Sequence, residues 1–165
     1  MTARVLVAGV GNVFLGDDGF GVEVARRLAS QALPEGVRVE DFGIRGVHLA
    51  FELLEPPDLL VVVDTVSRVA APGTLFVIEP DLEGPLPVAD NHSMDVHAVF
   101  SQVRAMGGTL PTVRIVGCQP ATLDEGMALS PPVEAAVEPA LALVHKIVRE
   151  ELHGASARAG GGDPR

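Results

Sequence analysis

A chain of 165 residues with 47% apolar side chains is long enough to build one domain around a full core and too apolar for a disordered segment. Its 22 acidic against 12 basic residues leave a net charge of −10, which repels nucleic acid and anionic membrane and excludes both as main partners. A single cysteine, Cys118, excludes an internal disulfide framework and a cysteine-built zinc centre.

Val5-Leu-Val-Ala-Gly-Val predicts a buried first strand that runs straight into glycines, too soon for the apolar stretch of a signal peptide. No apolar run approaches the roughly 20 residues that a membrane span needs, so a cytoplasmic protein is expected. Phe20, Val24, Ala25, Leu28 and Ala32 share one helical stripe, closed by Pro34. A second strand follows over Val37–Phe42, then a helix with Val47, Ala50, Phe51 and Leu54 at i, i+3, i+4 and i+7, ended by Pro56-Pro57. Leu59-Leu-Val-Val-Val is an unbroken apolar run that suits a central strand covered on both faces, and it stops at Asp64.

Thr74–Ile78 is the fourth strand. Its link to Asp64 is too short for a crossover helix, which admits an antiparallel edge position. After a Pro- and Asp-containing loop to Asn91, Val96, Val99, Phe100 and Val103 mark a third helix, and Val113–Cys118 a fifth strand. The last helix opens with Ser130 as N-cap and Pro131 in its first turn, and Pro139 inside it is expected to bend or split it. These elements predict a three-layer α/β/α domain over 1–153 around a twisted, mostly parallel five-stranded sheet, with a flexible tail over 154–165.

Gly9-Val-Gly11-Asn12 between a strand and a helix invites comparison with dinucleotide-binding loops. The third glycine of that fingerprint would fall on Phe14, and Asp17 with Asp18 would repel a pyrophosphate at the helix start, so no nucleotide is expected. One of these two aspartates suffices as a helix cap, which leaves the other at the carboxyl edge of strand one. Asp64 ends the central strand at that same edge, where ligands of open α/β sheets gather, although a turn aspartate bonding its own backbone has the same appearance. Two carboxylates converging there would be relieved by a cation. Helical phase puts His48, His97 and His145 on outer faces and His153 against the tail, leaving His92, in a loop before a helix, as the histidine a crevice could receive. The three together make an N/O-ligand site for a borderline divalent metal. Cys118 reads as a small buried hydrophobe rather than a nucleophile.

The stretch Val7 to Val22, VAGVGNVFLGDDGFGV, resembles the opening signature of the hydrogenase maturation proteases, which trim the large subunit of nickel–iron hydrogenases. The likeness continues through Val63-Asp64, Asn91-His92-Ser-Met, Gly117-Cys-Gln-Pro120 and Leu129-Ser-Pro131 in order and spacing. The resemblance implies a five-stranded α/β fold and puts the metal-recognising residues, expected to carry catalysis as well, at Asp18, Asp64 and His92. It further implies that nickel arrives already seated in a large-subunit precursor, that other divalent metals are able to occupy the site, and that cleavage removes a C-terminal extension. Where relatives often read Gly-Thr-x-Gly after strand two, this chain has Gly43-Ile44-Arg45-Gly46, and Arg45 is a candidate partner for a precursor carboxylate. The alternative from another class is a nickel-binding assembly factor without peptidase activity.

Overall fold

A computed structural model describes residues 4–83 and 95–160, with side chains as far as 155. The chain runs β1 (Val5–Val10), a single 3-10 turn (Gly16–Gly19), α1 (Phe20–Ala29), β2 (Val37–Gly43), α2 (Gly46–Glu52), β3 (Leu59–Thr65), β4 (Leu75–Ile78), α3 (Val96–Ala105), β5 (Thr112–Cys118) and α4 (Pro131–Gly160). The five strands form one sheet in the order β2-β1-β3-β5-β4, parallel except for the antiparallel β4–β5 pair. The antiparallel edge follows from chain length, because the segment between β3 and β4 is too short for a helical crossover; the chain turns back and leaves a place between them that β5 fills.

Every residue of β1 and the first five of β3 are buried, as expected for strands covered on both faces. Val5, Val7, Val61, Val63, Val116 and Cys118 pack under α1 and α4 on one face. Leu6, Ala8, Val10, Leu60, Val62 and Ile115 pack under α2 and α3 on the other. The alternation of side chains along each strand thus feeds two cores and makes the three layers. From β1 the chain first moves outward to β2 and then back past β1 to β3, so the sheet's switch point lies between β1 and β3.

Two features of α4 differ from expectation. Pro139 does not split the helix, which is one element through Gly160. The proline is exposed, and so is Ala135, whose carbonyl loses its i+4 donor, so the lost bond falls on the face where water compensates it. The helix also runs past 153, where the flexible tail was expected. Ala155, Ala157 and Ala159 belong to the residue type of best helix propensity, which favours continuing the helix.

Candidate functional site

The loop after β1 is shaped so that its backbone touches the residues it presents. Gly9 and Gly21 bring β1 and α1 together, since a Cβ on Gly9 would lie 2.3 Å from the Gly21 carbonyl oxygen. Gly11 has φ +132, its N–H donates to the Gly43 carbonyl at 3.0 Å, and a Cβ there would lie 2.0 Å from the Asp18 carbonyl oxygen. These glycines serve close backbone approach.

Asp18 is 2% exposed and is held from two sides. The Asn12 N–H donates to its Oδ2 at 2.7 Å, and the Thr65 hydroxyl donates to its Oδ1 at 3.1 Å. Thr65 also donates its own N–H to Asp64 Oδ1 at 2.7 Å, so one residue links the two carboxylates. Burial pushes the Asp64 carboxyl well above its ordinary value, the Asp18 charge adds to this, and Asp95 adds a smaller part against the lowering effect of the Thr65 N–H. The two predicted aspartates therefore meet at the switch point as a mutually repelling pair. Thr65 and Asn12 escaped the sequence reading because a strand-ending threonine and a backbone N–H carry no distinctive pattern.

His92 lies outside the described residues. Asp95, three positions further on, caps α3 by accepting the His97 N–H at 2.8 Å, and its charge reaches Asp64. The start of α3 therefore faces the same edge. His97 is half-buried rather than on a free outer face. Its ring meets Phe100 edge-on at 6.2 Å, and its Nδ1 has no hydrogen-bond partner among the described residues.

Neither Asp17 nor Asp18 caps α1, which makes no side-chain cap bond. Asp17, 0% exposed, turns instead to the loop between β5 and α4. Its Oδ2 accepts from Ala121 N–H (2.8 Å), Thr122 N–H (3.1 Å) and the Ser130 hydroxyl (2.8 Å), and its Oδ1 from Ser130 N–H (2.7 Å). Burial alone would raise this carboxyl, but the Ser130, Thr122 and Ala121 donors outweigh it and hold the group below the ordinary carboxylate value. Ser130 does begin α4, its carbonyl accepting the Glu134 N–H at 2.8 Å, while its hydroxyl is turned to Asp17.

Other candidates resolve differently. Burial, reinforced by the Asp17 charge, pushes the Cys118 thiol up to about 11, too high for a thiolate nucleophile at neutral pH. The Arg45 guanidinium is turned back onto the Phe42 and Asp41 carbonyls and lies over the Phe42 ring, so it stabilises its own loop. Glu40, His48 and Glu52 bring ligand atoms within 4.8 Å of one another. Arg38 already bridges both of those carboxylates, at 2.7 and 3.0 Å, which makes the trio a surface ion network. At the carboxyl edge itself, Phe14, Ile44, Leu123 and Met127 are exposed apolar side chains on the surrounding loops.

An open α/β sheet with two acidic side chains, Asp18 and Asp64, at its switch point has its candidate site where ligands of such folds gather. A sequence model of the hydrogenase maturation protease family matches residues 22–147, and the chain belongs to that family. It is 33% identical over 151 residues to the hydrogenase 2 maturation protease of Escherichia coli, an alignment spanning 89% of this chain and 92% of the relative. The hydrogenase maturating endopeptidase HybD from Escherichia coli superposes with a TM-score of 0.76 at 32% identity, over 89% of this chain and 93% of that one. The [NiFe] hydrogenase maturation protease HycI from Thermococcus kodakarensis superposes with a TM-score of 0.68 at 25% identity, over 89% and 93%. These likenesses make the chain a hydrolase of the maturation endopeptidase type. Among the described residues no helix is long and apolar enough to cross a membrane.

Proposed function

We propose that this protein is a cytoplasmic endopeptidase that removes the C-terminal extension of a nickel–iron hydrogenase large-subunit precursor once nickel has been inserted. The observation that carries the reading is the Asp18–Asp64 pair. Two carboxylates at one sheet edge, bridged by Thr65, with burial and then the Asp18 charge raising Asp64, form a donor set that a divalent cation would relieve. Oxygen donors with one imidazole suit a borderline metal such as nickel, and His92 supplies that imidazole in this reading. The nickel belongs to the substrate, and its charge is what Asp18, Asp64 and His92 recognise.

The chain's own contribution is orientation. Thr65 sets the relative placement of the two carboxylates, and the Asn12 N–H fixes the second oxygen of Asp18. The exposed apolar side chains around the edge suit a polypeptide substrate better than a small polar one.

The test is to mix the protein with the large-subunit precursor, with and without nickel loaded, and to follow its length on a gel. Shortening of the nickel-loaded form alone supports the reading, and Asp18→Asn, Asp64→Asn and His92→Ala should each abolish it while the fold is retained. No shortening of either form, with tight nickel binding by the free protein, would instead identify an assembly factor.

A further inference from the structure

The segment after β5 is unusual in having no residue buried from 121 to 128 and yet being tied down along its length. Gly16 N–H donates to the Gly126 carbonyl at 2.7 Å, Gly126 N–H to the Phe14 carbonyl at 2.9 Å, and Asp17 N–H to the Thr122 carbonyl at 3.1 Å. Leu15 and Gly126 form a parallel bridge. The Asp17 carboxylate adds its four accepted bonds, reaching 104 to 113 positions along the chain. Burying a carboxylate is unfavourable unless its oxygens are fully bonded, and here they are. Yet the loop held this way adds nothing to either core. What the fold gains is a fixed position, immediately beside Asp18, for a strip carrying the exposed side chains of Leu123 (38%) and Met127 (72%), with Phe14 (62%) on the adjoining loop.

We propose that Asp17 is a positioning residue, whose buried carboxylate locks the exposed 121–128 loop beside Asp18 so that Leu123 and Met127 hold apolar side chains of an extended polypeptide substrate. The inference rests on the processing reading above. A loop already ordered before encounter avoids the ordering loss that a mobile one would suffer on binding, so the lock acts on substrate affinity. Leu123 and Met127 touch the substrate, whereas Asp17 and Ser130 act through the loop.

The experiment is steady-state processing of the nickel-loaded precursor by the full-length protein and four variants. Asp17→Asn keeps the shape but turns an amide N–H₂ toward donors, and it should raise KM roughly ten-fold with kcat within about two-fold of the parent. Ser130→Ala, which removes one of the four donors, should raise KM less, and Ser130→Thr, which keeps the hydroxyl, should restore the parental value. The Leu123→Ser/Met127→Ser double variant alters only exposed side chains and should raise KM without changing the melting temperature. A fall in kcat at unchanged KM in Asp17→Asn would place its role at Asp18 and overturn the proposal. Should Asp17→Asn fail to fold, parental KM in both Ser130→Ala and the double variant would overturn it equally. Absence of processing by the parent protein would refute the enzymatic reading instead, so the two failures are distinguishable.

Discussion

Replacing Gly11 by alanine tests how the glycine loop delivers Asp18. The added Cβ would sit 2.0 Å from the Asp18 carbonyl oxygen, a backbone atom that no rotamer change moves aside, and φ at this position is +132. Overpacking against a fixed atom costs about 1–3 kcal/mol and left-handed backbone about 1–2 kcal/mol for an L residue. One backbone shift relieves both, so about 2–4 kcal/mol is expected, or roughly 5–15 °C in melting temperature for a chain of this size. Gly43→Ala is the matched control. It has φ +56, but its nearest neighbour is 3.7 Å away, so only backbone strain of about 1 kcal/mol and roughly 2–4 °C is expected. The shift in Gly11→Ala moves Asp18 by the order of 1 Å, which should lower processing about 100-fold, while Gly43→Ala retains most activity. Thermal melts and precursor cleavage read the two effects separately. Melting temperatures within about 2 °C of one another, or parental cleavage by Gly11→Ala, would show that close approach does not place Asp18.

Three further outcomes follow from the same structure. A carboxyl whose folded value is raised contributes stability below its unfolded value, near 3.8, and loses it as pH climbs through the raised one. In metal-free protein Asp64→Asn should therefore melt higher than the parent at pH 7, the difference shrinking toward pH 4, even as processing is lost; equal melting at both pH values would deny that burial and the Asp18 charge raise this carboxyl. Pro139→Ala should restore an interior helical bond on the exposed face of α4 and stabilise by about 1–3 kcal/mol, read by chemical denaturation. Arg27 joins α1 to α4 through Glu134 (2.5 Å) and Glu138 (3.5 Å) and also pairs with Glu23 within α1 (2.8 Å), all at partly or largely exposed side chains. Arg27→Ala should cost about 1 kcal/mol at low ionic strength and much less in about 1 M salt.

Most strands and helices were legible because each is an apolar block of one clear period, but the stripe of α2 was misplaced: Val47, Phe51 and Leu54 are exposed, and Leu49, Ala50 and Leu53 are the residues that pack. Leu59–Val63 reads as central and is central, and the short link to Leu75 reads as an antiparallel edge and is one. What misled was local chemistry whose partner is remote or whose cost is hidden by solvent. Pro139 looks like a break because sequence does not reveal that its face is wet. The alanines after His153 look like a tail because their helix propensity is visible only against the glycines that interrupt it. Arg45 looks like a free cation because nothing in Gly43-Ile44-Arg45-Gly46 announces that its guanidinium folds back onto the carbonyls of residues 41 and 42.

The adjacent aspartates show the limit most clearly. Sequence makes Asp17 and Asp18 near-equivalent, and helix capping was the natural task for one of them. Their partners decide otherwise. Asp17 accepts four donors from residues more than 100 positions away, which holds it charged and saturated, so a cation could reach it only by breaking bonds that anchor the loop before α4. Asp18 is set by Asn12 and by Thr65, and Thr65 ties it to Asp64, a carboxylate whose charge burial disfavours. In the proposed reading a cation would therefore sit between Asp18 and Asp64, and exchanging the roles of residues 17 and 18 would leave neither the loop nor the pair intact.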